Sequence, residues 1–258
     1  MKLFIQQRGQ GQPLILLHGW GFNGRIWASI ATLLAAQWQV YQVDLPGHGQ
    51  SAFSNYQLSA LTTQLATQLP PQALWLGWSL GGLLAMAMAH DYPPWVRGLM
   101  LITTSPRFVT APDWPYALAP RVLKDFRKQL QQDAEKTWRS FLALQLRDLS
   151  VGQRQYVYTQ LKLGGYPQLQ ALQAGLTCLL ETDLRFQLKA VTCPSMFCLG
   201  ERDPLIPVQM GTRCHAWWPE VELVTIQTAA HIPFLSHPEA FMNAFKRFLA
   251  LQEDDHRR

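Results

Sequence analysis

Five residues, Gly77-Trp78-Ser79-Leu80-Gly81, place a serine between two glycines where an apolar run meets a helical pattern. Ala73-Leu74-Trp75-Leu76 has the length and apolarity of a buried strand, and residues 80–89, rich in Leu, Ala and Met, continue as a helix. A chain that passes from strand to helix in so few residues strains its backbone at the apex. Glycines on either side remove the Cβ atoms that would strike the adjoining strand and helix. The pattern is Gly-x-Ser-x-Gly, a nucleophile elbow, which leaves the Ser79 hydroxyl exposed rather than packed. An ordinary glycine-lined turn with an incidental serine has the same five residues, so the remainder of the chain decides between the two.

Strand-like runs at residues 3–7, 14–17 and 40–43 alternate with helical patterns near 26–36 and 59–69, followed by the elbow and then a strand at 98–103. This alternation predicts βαβ units and a mostly parallel sheet. After residue 110 the pattern changes. Pro112, Pro115 and Pro120 punctuate a connection, and roughly sixty residues then carry helical periodicity only, at 126–130, 138–146, 156–163 and 169–180. Strand signals resume at 195–199 and 222–226, with a last helix near 240–249 and a charged tail over 252–258. The expectation is an α/β core built from residues 1–110 and 188–258, interrupted by a helical lid over 111–187. Ligands of open parallel sheets bind beyond the carboxyl ends of the strands, where both the elbow and the start of the insertion emerge.

At 258 residues with 48% apolar and 15% charged side chains, the chain suits one large globular domain rather than a disordered one. The amino terminus turns polar too soon for a signal peptide, and no apolar stretch approaches the roughly 20 residues that span a bilayer. A soluble cytoplasmic protein with no membrane partner is expected, and Cys178, Cys193, Cys198 and Cys214 are read as reduced thiols. The net charge of +5 is confined to residues 121–162, which hold nine Lys or Arg against four acids. A basic stretch of this kind suits an acidic partner or a solvated helical face. No nucleic-acid reading motif accompanies it.

A serine hydroxyl needs a base to take its proton and a third group to orient that base. Downstream of Ser79 the chain offers Leu199-Gly200-Glu201-Arg202-Asp203-Pro204, an acid in a turn after a strand, and then Ala229-Ala230-His231-Ile232-Pro233, a histidine after the next strand. Ser79, Asp203 and His231 thus stand in the order serine, acid, histidine, each at the carboxyl end of a strand. Asp203 could instead cap a helix starting near 208, and Glu201 is a rival acid; His237, His215, His90 and His256 lie in helix-end or polar contexts that suit a base less well. For the oxyanion, the backbone N–H of Leu80 is one expected donor, and that of Trp20, in the glycine-bracketed loop His18-Gly19-Trp20-Gly21, the other. His18 itself is expected to be structural, as is the turn Asp44-Leu45-Pro46-Gly47-His48-Gly49-Gln50-Ser51.

Together these motifs resemble the α/β-hydrolase superfamily over nearly the whole chain. Leu76-Gly77-Trp78-Ser79-Leu80-Gly81-Gly82, Trp20, and Phe141-Leu142-Ala143-Leu144-Gln145 in the helical stretch are similar to the pimeloyl-[acyl-carrier-protein] methyl ester esterases of biotin synthesis. That resemblance implies a serine esterase that frees the carboxylate of a pimeloyl chain held by acyl carrier protein. It also implies substrate contacts from Trp20, Ser79, Leu80, Phe141, Leu142, Ala143, Leu144, Gln145 and His231. Basic lid residues would hold the acidic carrier, with Lys136, Arg139 and Arg154 in suitable places; Ser140 and Tyr158 stand where further basic groups are expected. No metal or organic cofactor is implied, and a monomer is expected. A general short-chain carboxylesterase, a carbon–carbon bond hydrolase, a cofactor-free haloperoxidase and a ligand-binding hydrolase fold share the same motifs, and pocket shape separates them.

Overall fold

Seven segments with strand character pair into one sheet: β1 (Ile5–Arg8), β2 (Gln12–Leu17), β3 (Trp38–Val43), β4 (Ala73–Trp78), β5 (Val96–Ile102), β6 (Ser195–Gly200) and β7 (Glu222–Ile226). The computed structural model describes residues 2–255. The spatial order is β1-β3-β2-β4-β5-β6-β7. β1 runs antiparallel to β3, and every other pairing is parallel. Parallel neighbours need crossover connections, and helices supply them. β4 stands at the centre of the sheet with all six residues buried, which is why its sequence is a continuous apolar run instead of an alternating one.

The helices of the sheet layer are α1 (Ala28–Leu34), α2 (Leu58–Gln68) and α3 (Leu80–Asp91). Between β5 and β6 the chain forms α4 (Pro120–Gln132), α5 (Ala134–Gln145), α6 (Val151–Gly164) and α7 (Leu169–Glu181), and it ends with α8 (Val208–Cys214), α9 (Pro233–Ser236) and α10 (Pro238–Asp255). Several helix starts follow from local chemistry. Pro120 opens α4, where a missing N–H costs nothing. The Asp133 carboxylate accepts the Lys136 N–H at 3.0 Å to start α5, and Ser150 with Gln153 forms a capping box on α6. The predicted charged tail is a correction: α10 continues to Asp255, because Gln252 is buried against Gly98 and holds the last turn on the sheet. Residues 256–258, including His256, lie outside the described residues. Among the described residues no helix is long and apolar enough to cross a membrane.

The inserted helices are fastened to the sheet layer by several hydrogen bonds, among them Asn23 to the Gly165 carbonyl at 2.9 Å and Gln153 to the Leu235 carbonyl at 2.6 Å, and by two tryptophan indoles. The Trp138 indole N–H donates to the Gly21 carbonyl at 2.8 Å, and the Trp20 indole N–H donates to the Leu172 carbonyl of α7 at 2.8 Å. The root of the insertion is held as well. Arg107, on the segment leaving β5, meets Asp183, on the segment leaving α7, at 2.6 Å. Arg185, only 5% exposed, binds Asp183 and Asp113 at 2.8 Å each and lies over the Trp114 ring. The outgoing and returning chains are therefore laced together.

β2, β4 and α3 meet most tightly at Gly81, where an added Cβ would lie 2.5 Å from the Leu17 carbonyl oxygen and 2.6 Å from that of His18. Both obstacles are main chain, at the end of β2 and the residue after it, and cannot swing aside as a side chain would. Gly81→Ala is expected to destabilise the protein by about 1–3 kcal/mol through forced backbone shifts, measured by urea unfolding; an unchanged midpoint would refute this account of the junction.

Candidate active site

Ser79 stands at the apex between β4 and α3 with φ 54° and ψ −118°, a conformation that a residue with a side chain adopts only when its surroundings enforce it. They do so through hydrogen bonds on both sides of the residue. Its N–H donates to the Ile102 carbonyl at 3.0 Å, and its carbonyl accepts the Thr104 hydroxyl at 2.6 Å and the Gly82 N–H at 2.9 Å. The hydroxyl thereby points out of the turn at the amino terminus of α3, whose dipole favours negative charge.

His231 lies in the loop between β7 and α9 and is 2% exposed. Its main-chain carbonyl accepts the Trp78 indole N–H at 2.7 Å and the Thr103 hydroxyl at 2.8 Å, so the histidine is pinned to the elbow itself and to the residue after β5. Its Nδ1 meets Asp203 Oδ2 at 2.7 Å. With Nδ1–H donating to a carboxylate, Nε2 carries the lone pair. Among the described residues Nε2 has no hydrogen-bond partner, and the imidazole lies 5.7 Å from the Trp78 ring, beside the nucleophile elbow. Asp203 is held as firmly. Its Oδ1 accepts the N–H groups of Leu205 and Ile206 at 2.8 and 3.2 Å, so one carboxylate both braces its turn and orients the imidazole.

The rival residues have other partners. Glu201 accepts the Thr228 N–H at 2.8 Å, and His237 Nε2 meets the Thr228 hydroxyl at 3.0 Å. Thr228 has φ 61°, so the two rivals brace the strained turn that leads to His231. His18 is fully buried, its Nε2 accepting the Leu45 N–H at 3.0 Å and its Nδ1–H donating to the Gly19 carbonyl at 2.8 Å. Burial first, and the neighbouring His48 ring second, hold it well below the usual histidine range, so it is a neutral strut. Asp44 braces the next turn, accepting from Gly24 and Gln50 at 2.6 and 2.8 Å; burial nonetheless raises its carboxyl to about 6.

The loop shaped by His18 runs alongside the nucleophile: a Cβ on Gly19 would lie 3.2 Å from Ser79 Cβ, which puts the Trp20 main chain next in line. The Trp20 ring then packs edge-on against Phe141 of α5 at 4.8 Å and Phe126 of α4 at 5.5 Å. These aromatics belong to a cavity of about 420 Å³ that reaches Ser79 and is lined mainly by apolar side chains.

Of the five consecutive candidate contacts on α5, Phe141 and Leu144 line this cavity, one helical turn apart. Leu142 and Gln145 are buried and Ala143 is exposed, and these three and Leu80 are not among its lining residues. Sequence reasoning missed Val122 and Phe126 of α4 and Leu176 and Leu179 of α7, which do line it. Their signal is the i, i+4 and i, i+3 spacing of apolar residues on two amphipathic helices, which announces a covered face without saying what it covers. Among the basic candidates, Lys136 is exposed, Arg139 holds Glu135 at 2.7 Å, and Arg154 donates to the carbonyls of Leu149 and Arg147 at 2.8 and 3.2 Å.

A family model described as the alpha/beta hydrolase fold matches residues 12–238. Several relatives carry the name pimeloyl-[acyl-carrier protein] methyl ester esterase, two of which illustrate the similarity. That of Legionella pneumophila (strain Paris) is 36% identical over 249 residues, covering 96% of this chain and 100% of its own length. That of Klebsiella pneumoniae (strain 342) is 40% identical over 243 residues, covering 93% and 94%. Among solved structures, an esterase from Exiguobacterium antarcticum matches with a TM-score of 0.86 at 19% identity, covering 96% of this chain and 95% of its own. A bromoperoxidase from Bacillus anthracis matches equally well, with a TM-score of 0.86 at 20% identity and the same coverage. At such identities the structural likeness bears on the fold alone.

If His231 is the base and Asp203 its orienter, Asp203→Asn should lower the rate at which a fluorophosphonate labels Ser79 by roughly 10³–10⁴-fold while leaving the fold intact. Mass spectrometry of the labelled peptide checks the position. Labelling of the variant at the wild-type rate would remove Asp203 from the site.

Proposed function

The chain belongs to the alpha/beta hydrolase fold family, and from that premise we propose that it is a serine carboxylic ester hydrolase acting on the methyl ester of pimeloyl-acyl carrier protein, a step of biotin synthesis. The observation that carries the reading is the buried Asp203–His231 hydrogen bond of 2.7 Å beside a strained serine at the inner end of an apolar cavity. Relatives at 36–40% identity over nearly their full length bear the name of that activity.

In this reading His231 Nε2 takes the Ser79 hydroxyl proton as Oγ forms a bond to the ester carbonyl carbon. The carbonyl π electrons move onto oxygen, and the N–H groups of Leu80 and Trp20 receive the resulting oxyanion. Collapse expels the methoxy group, which leaves as methanol with the proton held by His231. Water then attacks the acyl-enzyme, giving one proton to the same imidazole, which returns it to Ser79 Oγ as the carboxylic acid departs and releases its remaining proton to solvent. Asp203 keeps the imidazole in the tautomer that both halves require and stabilises its charged form. Among the substrate contacts implied by similarity, the cavity residues Trp20, Phe141 and Leu144 would hold the methylene chain by apolar burial, at about 25 cal/mol per Å².

The inserted helices act as a lid in this account, and residues 111–187 form the cap over a core made of 1–110 and 188–258. The enzyme would work as a cytoplasmic monomer on a carrier drawn by the lid's positive charge, to which Lys136, Arg139 and Arg154 contribute. The deciding measurement compares methanol release from pimeloyl-carrier methyl ester with release from a free short-chain methyl ester. The carrier-bound ester should be preferred in kcat/KM by at least roughly tenfold, with Ser79→Ala inactive on both. Equal values would reassign the protein as a general esterase.

A further inference from the structure

Five of the cavity's lining residues are exposed, Val122, Asp125 and Gln129 on α4 and Ser140 and Leu144 on α5, so the cavity opens between these two helices. The position of the mouth matters because of substrate chemistry, and this step rests on the function proposed above. The methyl ester sits at the end of the pimeloyl chain remote from the carrier. With that ester at Ser79 the chain runs outward through the cavity, and the carrier must rest against the mouth.

Beside the mouth, between α4 and α7, lies a shallow groove of about 840 Å³. Arg121, Lys124, Arg127 and Lys128 line it, and Asp125 lines both groove and cavity. The helical repeat explains the adjacency. Arg121, Lys124 and Lys128 are spaced i, i+3, i+7 and form one stripe; Val122, Asp125 and Gln129 have the same spacing one residue later and form the neighbouring stripe at the mouth. A cationic row thus borders the opening through which the acyl chain must leave.

The groove's charge is also little neutralised. Its one carboxylate, Asp125, stands 3.7 Å from Lys128 with both side chains largely in solvent. Among the described residues Arg121, Lys124 and Arg127 form no ion pair. The α7 wall presents Gln170, Gln173 and Thr177, neutral hydrogen-bonding groups at helical spacing. The basic residues of α5 and α6 differ: Arg139 is paired with Glu135 and Arg154 is engaged by two main-chain carbonyls. Four cations against one acid within eight residues make this groove the strongest local attractor for a negatively charged partner surface.

We infer that the α4–α7 groove is the docking surface for an acidic face of the carrier protein, and that it supplies more of the electrostatic contact than the cations of α5 and α6 do. Arg121→Glu with Lys124→Glu tests it against Arg139→Glu with Arg154→Glu, both pairs being surface changes whose folding is checked by thermal melts. The readout is the ratio of kcat/KM for the carrier-bound methyl ester to that for a free methyl ester at low ionic strength. Reversal on α4 should lower this ratio by at least roughly tenfold, through KM, with the loss fading as added salt shortens the screening length. Reversal on α5 and α6 should lower it less. An unchanged ratio on α4, or an equal fall for both pairs, overturns the groove while a wild-type preference for the carrier-bound ester leaves the function standing. No such preference in the wild type would sink the function, and the docking surface with it.

Discussion

The positive φ at Ser79 is the constraint around which the rest is arranged. A non-glycine residue in that conformation carries a cost of order 1–3 kcal/mol, and it persists only where neighbouring contacts over-determine it. Here the same contacts that hold the strain also place the chemistry. The end of β5 and the two residues after it supply the Ile102 carbonyl to the Ser79 N–H, the Thr104 hydroxyl to its carbonyl and the Thr103 hydroxyl to the carbonyl of His231. One strand end therefore holds the main chain of both Ser79 and His231.

Much of this was legible beforehand because strand ends in a parallel sheet converge by geometry. Once the elbow at 77–81 is identified, an acid and a histidine following later strands must arrive at the same edge. Asp203 and His231 stand together for that reason. The inner strands β2 to β6 are legible as largely apolar runs because most of their residues are buried, whereas the edge strands β1 and β7, with polar residues and partial burial, are legible mainly from their place in the alternation. The charged tail was misread because its polarity suggested solvent, whereas Gln252 packs at Gly98, a contact between residues far apart in sequence.

The cavity was less legible for a related reason. A helix covering an apolar space and a helix covering a neighbour have the same periodicity, so Phe126 and Leu176 gave no sign of facing a substrate channel instead of a packed core. Partnership was also hidden. Nothing in the residues Arg139 and Arg154 says that one would be paired along its own helix and the other turned onto main-chain carbonyls. Charge counts identify the stretch that is positive; only side-chain positions identify which charges remain available.

The clasp of Arg107, Asp183, Arg185 and Asp113 has a mechanical implication. Inserted helices tethered at both of their roots by guanidinium contacts cannot swing like a door without breaking them. α4 and α5, the two helices whose exposed residues line the cavity mouth, are joined by the single residue Asp133. Admission of a long, thin acyl chain needs only those two helices to part slightly about that joint. The enzyme is thereby suited to threading a slender substrate end-on, and poorly suited to swallowing a bulky one.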